Sequence, residues 1–210
     1  STLILVWDVW IRLGHWFIAA AIVFQQLSGG EADLIEWHAT VGVCLFGWVL
    51  FRVIWGFIGP QYARFNKDSL SPKRVYESWL NLLAGKTEQT PGHTILGGLA
   101  VYVLLITIAL TAIFGLMSSD DIIFDGPLVP YIHPGLADQA SDIHEILSKI
   151  VIVLAITHVV AVIYHTVRMK ERLVSGMIHG RKVSFGYTSG TPHPSACLLY
   201  TSPSPRDRSI

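Results

Sequence analysis

Four long apolar segments alternate with polar stretches along the chain. They cover about residues 9–27, 37–57, 95–117 and 143–167, and each holds about 19 to 25 residues. About 20 apolar residues are enough for an α-helix to cross the hydrocarbon core of a bilayer. Arg12 and His15 interrupt the first segment, which therefore lacks the layout of a cleavable signal peptide. The pattern predicts an all-α membrane protein, a bundle of four transmembrane helices.

The charged residues between the segments predict the orientation. The 59–92 loop and the stretch after residue 167 are rich in Lys and Arg, whereas the 28–36 and 118–142 loops have neither. These two loops carry eight acidic residues instead: Glu31, Asp33, Glu36, Asp120, Asp121, Asp125, Asp138 and Asp142. Because cytoplasmic loops are enriched in Lys and Arg, we predict that both termini and the long middle loop are cytoplasmic.

The composition supports a membrane protein and argues against several other classes. Hydrophobic residues make up 51% of the chain and charged residues 14%, which is too apolar for a soluble domain of 210 residues. The net charge is zero, so nothing indicates binding of nucleic acid. The two cysteines, Cys44 and Cys197, allow no disulfide framework, and no Cys-x-x-Cys-His motif is present for covalent haem attachment.

We predict one domain over residues 1–182 and a disordered tail over residues 183–210. Within the tail, Cys197–Asp207 reads CLLYTSPSPRD, which resembles the translated end of a sequencing adapter. About residues 195–210 are therefore set apart from the fold. The alternative is a natural disordered tail rich in Ser and Pro.

Five of the nine histidines lie in three of the apolar segments, and four of them, all but His165, can be paired by depth. His144 and His158 are fourteen residues apart, an offset of about 40° around a helix and about 21 Å along it. Helical rise places His15 at about the depth of His158, and His38 and His144 close to the acidic side. Two pairs at two depths suit bis-histidine ligation of two haems, whereas one zinc or copper site cannot reach all four side chains. His165 is the alternative inner ligand.

Five further residues are candidates for cofactor binding: Arg12, Gly42, Arg52, His93 and Lys149. The two arginines lie where haem propionates need cations, although their side chains equally suit the membrane interface. His93 suits a hydrogen bond to a quinone or a propionate, or a place at the interface. Gly42 gives room for a haem or for a helix crossing. Lys149 suits a haem propionate or an ion pair with Glu145, four residues before it.

Several motifs resemble the bacterial cytochrome b561 and nickel-iron hydrogenase cytochrome b family. They are VWDVWIRLGHW at 6–16, HATVG at 38–42, FRVIWGFIG at 51–59, ARF at 63–65, GHTILGG at 92–98, HE at 144–145 and MIHGRK at 177–182. The resemblance spans about Val6–Lys182 and departs at Thr94-Ile95, where many relatives have Asn-Pro. It implies a four-helix bundle with two b-type haems. The ligands that it implies, His15, His38, His144 and His158, are the four residues selected by depth.

These observations predict a multi-pass, di-haem b-type cytochrome in the lipid of the bacterial cytoplasmic (inner) membrane. It transfers electrons between the quinone pool and a periplasmic cytochrome c or hydrogenase-like oxidoreductase; quinone rests on the resemblance alone. A superoxide:quinone oxidoreductase is one alternative, although acidic outer loops repel the superoxide anion. A structural membrane protein without a cofactor is the other. Whether the chain is an electron carrier or a subunit of an enzyme stays open.

Overall fold

The structure is a computed structural model that describes residues 2–86, 93–119 and 124–184. Asp120, Asp121 and the predicted tail from residue 185 onwards lie outside the described residues. Six α-helices and two short strands form within the described part. In chain order they are β1 (Thr2–Leu5), α1 (Val9–Ser28), α2 (Ile35–Ile58), α3 (Pro72–Leu83), α4 (Ile95–Leu116), α5 (Pro134–Val167), α6 (Leu173–His179) and β2 (Arg181–Ser184).

The four predicted apolar segments are all helical. Within the described residues, three helical stretches are long and apolar enough to cross a membrane, namely Ala32–Ile58, Ile95–Leu116 and Pro134–Val167. The chain is therefore a multi-pass membrane protein. α1 is not one of the three, because an arginine, a histidine and two glutamines lower the hydropathy of this helix.

α5 is longer than the sequence predicts, because the expected irregular loop ends early. The helix begins at Pro134 rather than near residue 143. His133 caps it, with Nδ1 accepting a hydrogen bond from the Gly135 N–H at 3.2 Å, and proline fits the first helical turn because its missing N–H needs no partner there. Its 34 residues extend over about 51 Å. This exceeds the roughly 30 Å of a bilayer core, so the first turns project beyond it.

The long helices pack in the order α1 on α2, α2 on α4 and α4 on α5. Their common core is small and consists of Ala21, Leu45, Val49, Leu105, Ile108 and Val151. Many large apolar side chains on α2, α4 and α5 are exposed instead. Helices that are apolar all round are typical of spans whose outer faces contact lipid.

The segments that precede α1 and follow α6 meet at one end of the bundle. β1 and β2 pair antiparallel, with Leu5 opposite Arg181, so the chain is not entirely helical, and β2 includes two residues assigned to the tail. Asp8 caps α1 by accepting from the Ile11 N–H at 2.9 Å, and its other carboxylate oxygen accepts from Trp55 Nε1 of α2 at 3.0 Å. We call this end, with residues 2–12, 52–86 and 165–184, the basic end. The opposite end, with residues 28–38, 115–119 and 124–145, is the acidic end.

Candidate cofactor site

The four predicted histidines come together as two pairs. His38 of α2 faces His144 of α5 near the acidic end, with ring centroids 6.1 Å apart. His15 of α1 faces His158 of α5 deeper in the bundle, with centroids 6.3 Å apart. A metal–imidazole bond is about 2 Å long and the ring centre lies about 1 Å behind the nitrogen, so two imidazoles on one iron have centroids about 6 Å apart. Both spacings fit one iron between two rings.

His165, the alternative inner ligand, does not join either pair. Its Nδ1 lies 3.4 Å from the Glu171 carboxylate. α5 therefore presents His158, and not His165, to His15.

Hydrogen bonds determine which nitrogen is protonated in the acidic-end pair. Ser28 donates its O–H to the Phe24 carbonyl at 2.8 Å, so its oxygen accepts from His38 Nδ1, 3.0 Å away. The Thr111 carbonyl accepts from His144 Nδ1 at 2.8 Å. Each Nδ1 therefore carries the proton, and each Nε2 keeps the lone pair that binds a metal.

The deeper pair has no such support at His15. The Nδ1 of His15 is buried and has no hydrogen-bond partner, while its ring contacts Trp16 edge-on at 5.2 Å between centroids. Leaving a buried polar atom unsatisfied costs about 1–3 kcal/mol, so such atoms are rare without a functional reason. The buried, unsatisfied imidazole therefore marks His15 as a candidate ligand.

A cavity of about 610 Å³ lies beside the acidic-end pair, within the usual range of about 300–1,000 Å³ for ligand sites. His38, His144, Gly42 and Gly115 are among the residues that line it. A Cβ on Gly42 would lie 2.9 Å from Gln25 Nε2 of α1. Gly42 therefore borders the cavity and leaves room for α1 to approach, and its role towards a haem stays a prediction.

Two residues beside the acidic-end pair, Ser28 and Gly115, were not predicted from the sequence. A Cβ on Gly115 would lie 2.9 Å from Cε1 and 3.0 Å from Nδ1 of His144, so only glycine leaves this imidazole in place. Ser28 ends α1 at the depth where α2 begins, so the depth argument that paired the histidines also places it near His38. No sequence signal marks Gly115, because its role depends on how α4 packs against α5.

The two candidate arginines lie at the basic end and retain unpaired donors. Arg52 has a buried Nη1 without a hydrogen-bond partner, and its guanidinium carbon lies 4.8 Å from the centroid of the Phe65 ring. Arg12 donates from Nη1 to the Ile178 carbonyl at 2.6 Å, whereas its buried Nε has no partner. Both can bind an anion, and Arg12 also ties α1 to α6.

The remaining candidates, His93 and Lys149, each contact a neighbouring side chain. The His93 ring lies 4.5 Å from the Trp7 ring between centroids, at the basic end. Lys149 pairs with Glu145 at 2.6 Å, and 68% of each side chain is exposed. The structure thus contains the ion pair, which was one of the two interpretations of Lys149.

Metal binding by protein groups alone is not indicated in the part of the chain that the structure describes. No three His, Cys, Asp or Glu side chains gather there into a group that could hold a metal ion. Each histidine pair brings two imidazole rings together, with centroids 6.1 and 6.3 Å apart. Two histidines would suffice to hold a haem, whose porphyrin supplies the other four nitrogen ligands of the iron.

Comparison with known proteins gives one result that covers most of the chain. Residues 6–180 match the model of a family described as prokaryotic cytochrome b561. The matched stretch includes all nine candidate residues and the motifs on which the resemblance rests, except for the last two residues of MIHGRK. No curated protein matches the chain significantly.

Proposed function

Because the chain belongs to the prokaryotic cytochrome b561 family, it is a membrane b-type cytochrome of electron transfer, and we propose that it holds two haems at two depths. His38 and His144 ligate the acidic-end haem, and His15 and His158 the basic-end haem. The observation that carries this proposal is the pairing of four histidines into two sets with ring centroids 6.1 and 6.3 Å apart.

α5 sets the distance between the two sites. It carries one ligand of each pair, His144 and His158, separated by about 21 Å along the helix. When bound, haem supplies one-electron redox chemistry at iron. Two histidine ligands leave no open position at the iron, which favours electron transfer over reaction with oxygen.

We infer that α1 crosses the membrane as the fourth span. It has 20 residues, packs along α2 and places His15 opposite His158 inside the bundle. A polar residue in a span is favourable when it faces a partner rather than lipid. The pairing of β1 with β2 supports termini on one side of the membrane, and the excess of Lys and Arg supports the cytoplasm of a bacterial inner membrane.

The cations at the basic end suit the negative propionates of a haem. Arg52 offers a buried, unpaired Nη1, and Arg12 a buried, unpaired Nε. Charge-assisted hydrogen bonds to carboxylates are stronger than neutral ones. At the acidic end, Lys149 would have to leave Glu145 in order to bind a propionate, so its ion pair is the favoured role.

Each face of the membrane has a proposed partner. We propose that quinone binds at the basic end, with His93 beside Trp7 as a polar contact; this partner is taken from the family resemblance. At the acidic end, the exposed Glu31, Asp33 and Glu36 favour a positively charged cytochrome c or oxidoreductase subunit. The same charges oppose superoxide as the substrate.

A redox titration of the visible spectrum tests the proposed function. The chain in membranes is reduced stepwise, and the b-type absorbance is followed alone and after addition of a quinol or a reduced cytochrome c. We expect two reversible one-electron components that either donor can reduce. A single component contradicts the two-haem proposal, and a chain that exchanges electrons with neither donor contradicts the proposed partners.

A further inference from the structure

Ser28 is the most completely enclosed polar side chain beside the histidine pairs. It is the last residue of α1 and is 0% exposed. Its hydroxyl donates a hydrogen bond to the Phe24 carbonyl at 2.8 Å, and its oxygen lies 3.0 Å from His38 Nδ1. The Ser28 hydroxyl can therefore only accept a hydrogen bond from His38.

The acidic-end pair is therefore hydrogen-bonded on both sides. His38 donates to Ser28, and His144 donates to the Thr111 carbonyl at 2.8 Å. The buried Nδ1 of His15, in the deeper pair, has no such acceptor. A ligating imidazole that donates its other N–H becomes a more basic ligand and is held in one orientation.

We propose that Ser28 is a positioning residue that tunes the acidic-end haem, an inference that rests on the proposed function. By accepting from His38, Ser28 makes this imidazole a stronger electron donor to iron. Stronger donation favours the ferric state. Together with the Thr111 carbonyl it therefore gives the acidic-end haem a lower reduction potential than the basic-end haem.

The charges near the two sites act in the same direction. Glu36 lies two residues before His38, at an end without Lys or Arg in the 28–36 loop. Arg52 lies at the basic end with a buried Nη1 that has no hydrogen-bond partner, and the Asp8 carboxylate interacts electrostatically with its guanidinium. Negative charge stabilises ferric iron and positive charge stabilises the reduced form, so Glu36 adds to the effect of Ser28. Asp8, in contrast, offsets part of the effect of Arg52.

Potentiometric titration of a short series of variants tests the proposal. Ser28→Ala removes the hydroxyl acceptor and leaves the Gln25 backbone as a partner of His38, and Ser28→Cys replaces the hydroxyl with a weak acceptor of similar size. Thr40→Ala is the control, because Thr40 makes the same type of hydrogen bond to the carbonyl four residues earlier, at 2.8 Å from Glu36, on an exposed surface. The component that is missing in His144→Ala identifies the acidic-end haem.

In the wild type, we expect the acidic-end component to have a lower reduction potential than the basic-end component. In Ser28→Ala we expect the reduction potential of this component to rise by up to about 59 mV, which is a tenfold change in the redox equilibrium for one electron. Ser28→Cys gives a smaller rise, and Thr40→Ala leaves both components unchanged. If Ser28→Ala does not retain the haem, the titration of Ser28→Cys shows whether Ser28 affects the potential of the acidic-end haem.

Several results would overturn the tuning role while leaving the proposed function intact. One is a wild type with two haems in which the acidic-end component has the higher reduction potential. Another is that both Ser28 variants leave the potentials unchanged, or shift only the potential of the basic-end component. The last is loss of the haem from both variants. A wild-type chain without two b-type components instead contradicts the proposed function itself.

Discussion

Gly115 of α4 lies directly against the imidazole of His144 on α5. A Cβ built on Gly115 would be 2.9 Å from Cε1 and 3.0 Å from Nδ1 of that ring. The ring cannot retreat freely, because its Nδ1 is hydrogen-bonded to the Thr111 carbonyl at 2.8 Å. The position of this proposed ligand therefore depends on the absence of a side chain on the neighbouring helix.

The variant Gly115→Ala is expected to displace His144 and to lower the content of acidic-end haem towards zero, with the other haem retained. Overpacking of this kind costs about 1–3 kcal/mol. Gly47→Ala is the matched control, since nothing lies within 4 Å of a Cβ there. Haem per polypeptide, measured on both purified variants, checks the prediction. Equal haem content in the two variants would contradict it.

Arg52→Gln is expected to lower the reduction potential of the basic-end haem without loss of haem. Two charges about 10 Å apart at an effective dielectric of about 20 interact by about 1.7 kcal/mol. Removal of the buried cation therefore favours ferric iron, by up to about 18-fold in the redox equilibrium. Arg74→Gln is the control, because Arg74 is exposed and paired with Asp68. A shift of similar size in both variants would argue against a specific role of Arg52.

Electron exchange with a basic cytochrome c is expected to slow as salt rises. Exposed charges are screened over a Debye length of about 10 Å at 0.1 M salt. Changing the exposed Glu31, Asp33 and Glu36 to amides should reduce the low-salt rate several-fold. Glu77→Gln, on exposed α3 at the basic end, serves as the control. Stopped-flow reduction over a salt series measures the rate, and a rate that is independent of both salt and the three acids would contradict an acidic docking face.

Truncation after residue 194 is expected to leave haem content and membrane insertion unchanged, because residues 195–210 are predicted not to belong to the fold. Truncation after Gly180 removes β2, which pairs with β1, and should lower the yield of assembled cytochrome. The spectrum of isolated membranes measures both. A clear loss of assembled cytochrome after truncation at residue 194 would show that the tail contributes to assembly.

The histidine pairs were predictable because helical rise is uniform. Counting residues from the acidic side placed His15 level with His158 and His38 level with His144, and the structure brings the same pairs together. Depth also favoured His158 over His165, because helical rise places His165 about 34 Å below the acidic side. In the structure, the side chain of His165 lies against Glu171 instead.

Other features could not be predicted, because they depend on contacts between distant residues or on local caps. Pro134 and Gly135 are typical of a loop, yet His133 and Pro134 together begin a helix. The strands β1 and β2 have four residues each and pair across the whole fold, so no local pattern marks them. The bond from Ser28 to His38 requires α1 and α2 to meet at one particular height.

The most direct test of two haems at two depths is the haem content of His144→Ala and His15→Ala beside the wild type. We expect two haems per polypeptide in the wild type and one in each variant, with a different spectral component missing in each case. His165→Ala should retain both haems, since His165 contacts Glu171 rather than His15. Two haems retained in both ligand variants, or loss of the same component from both, would contradict the account.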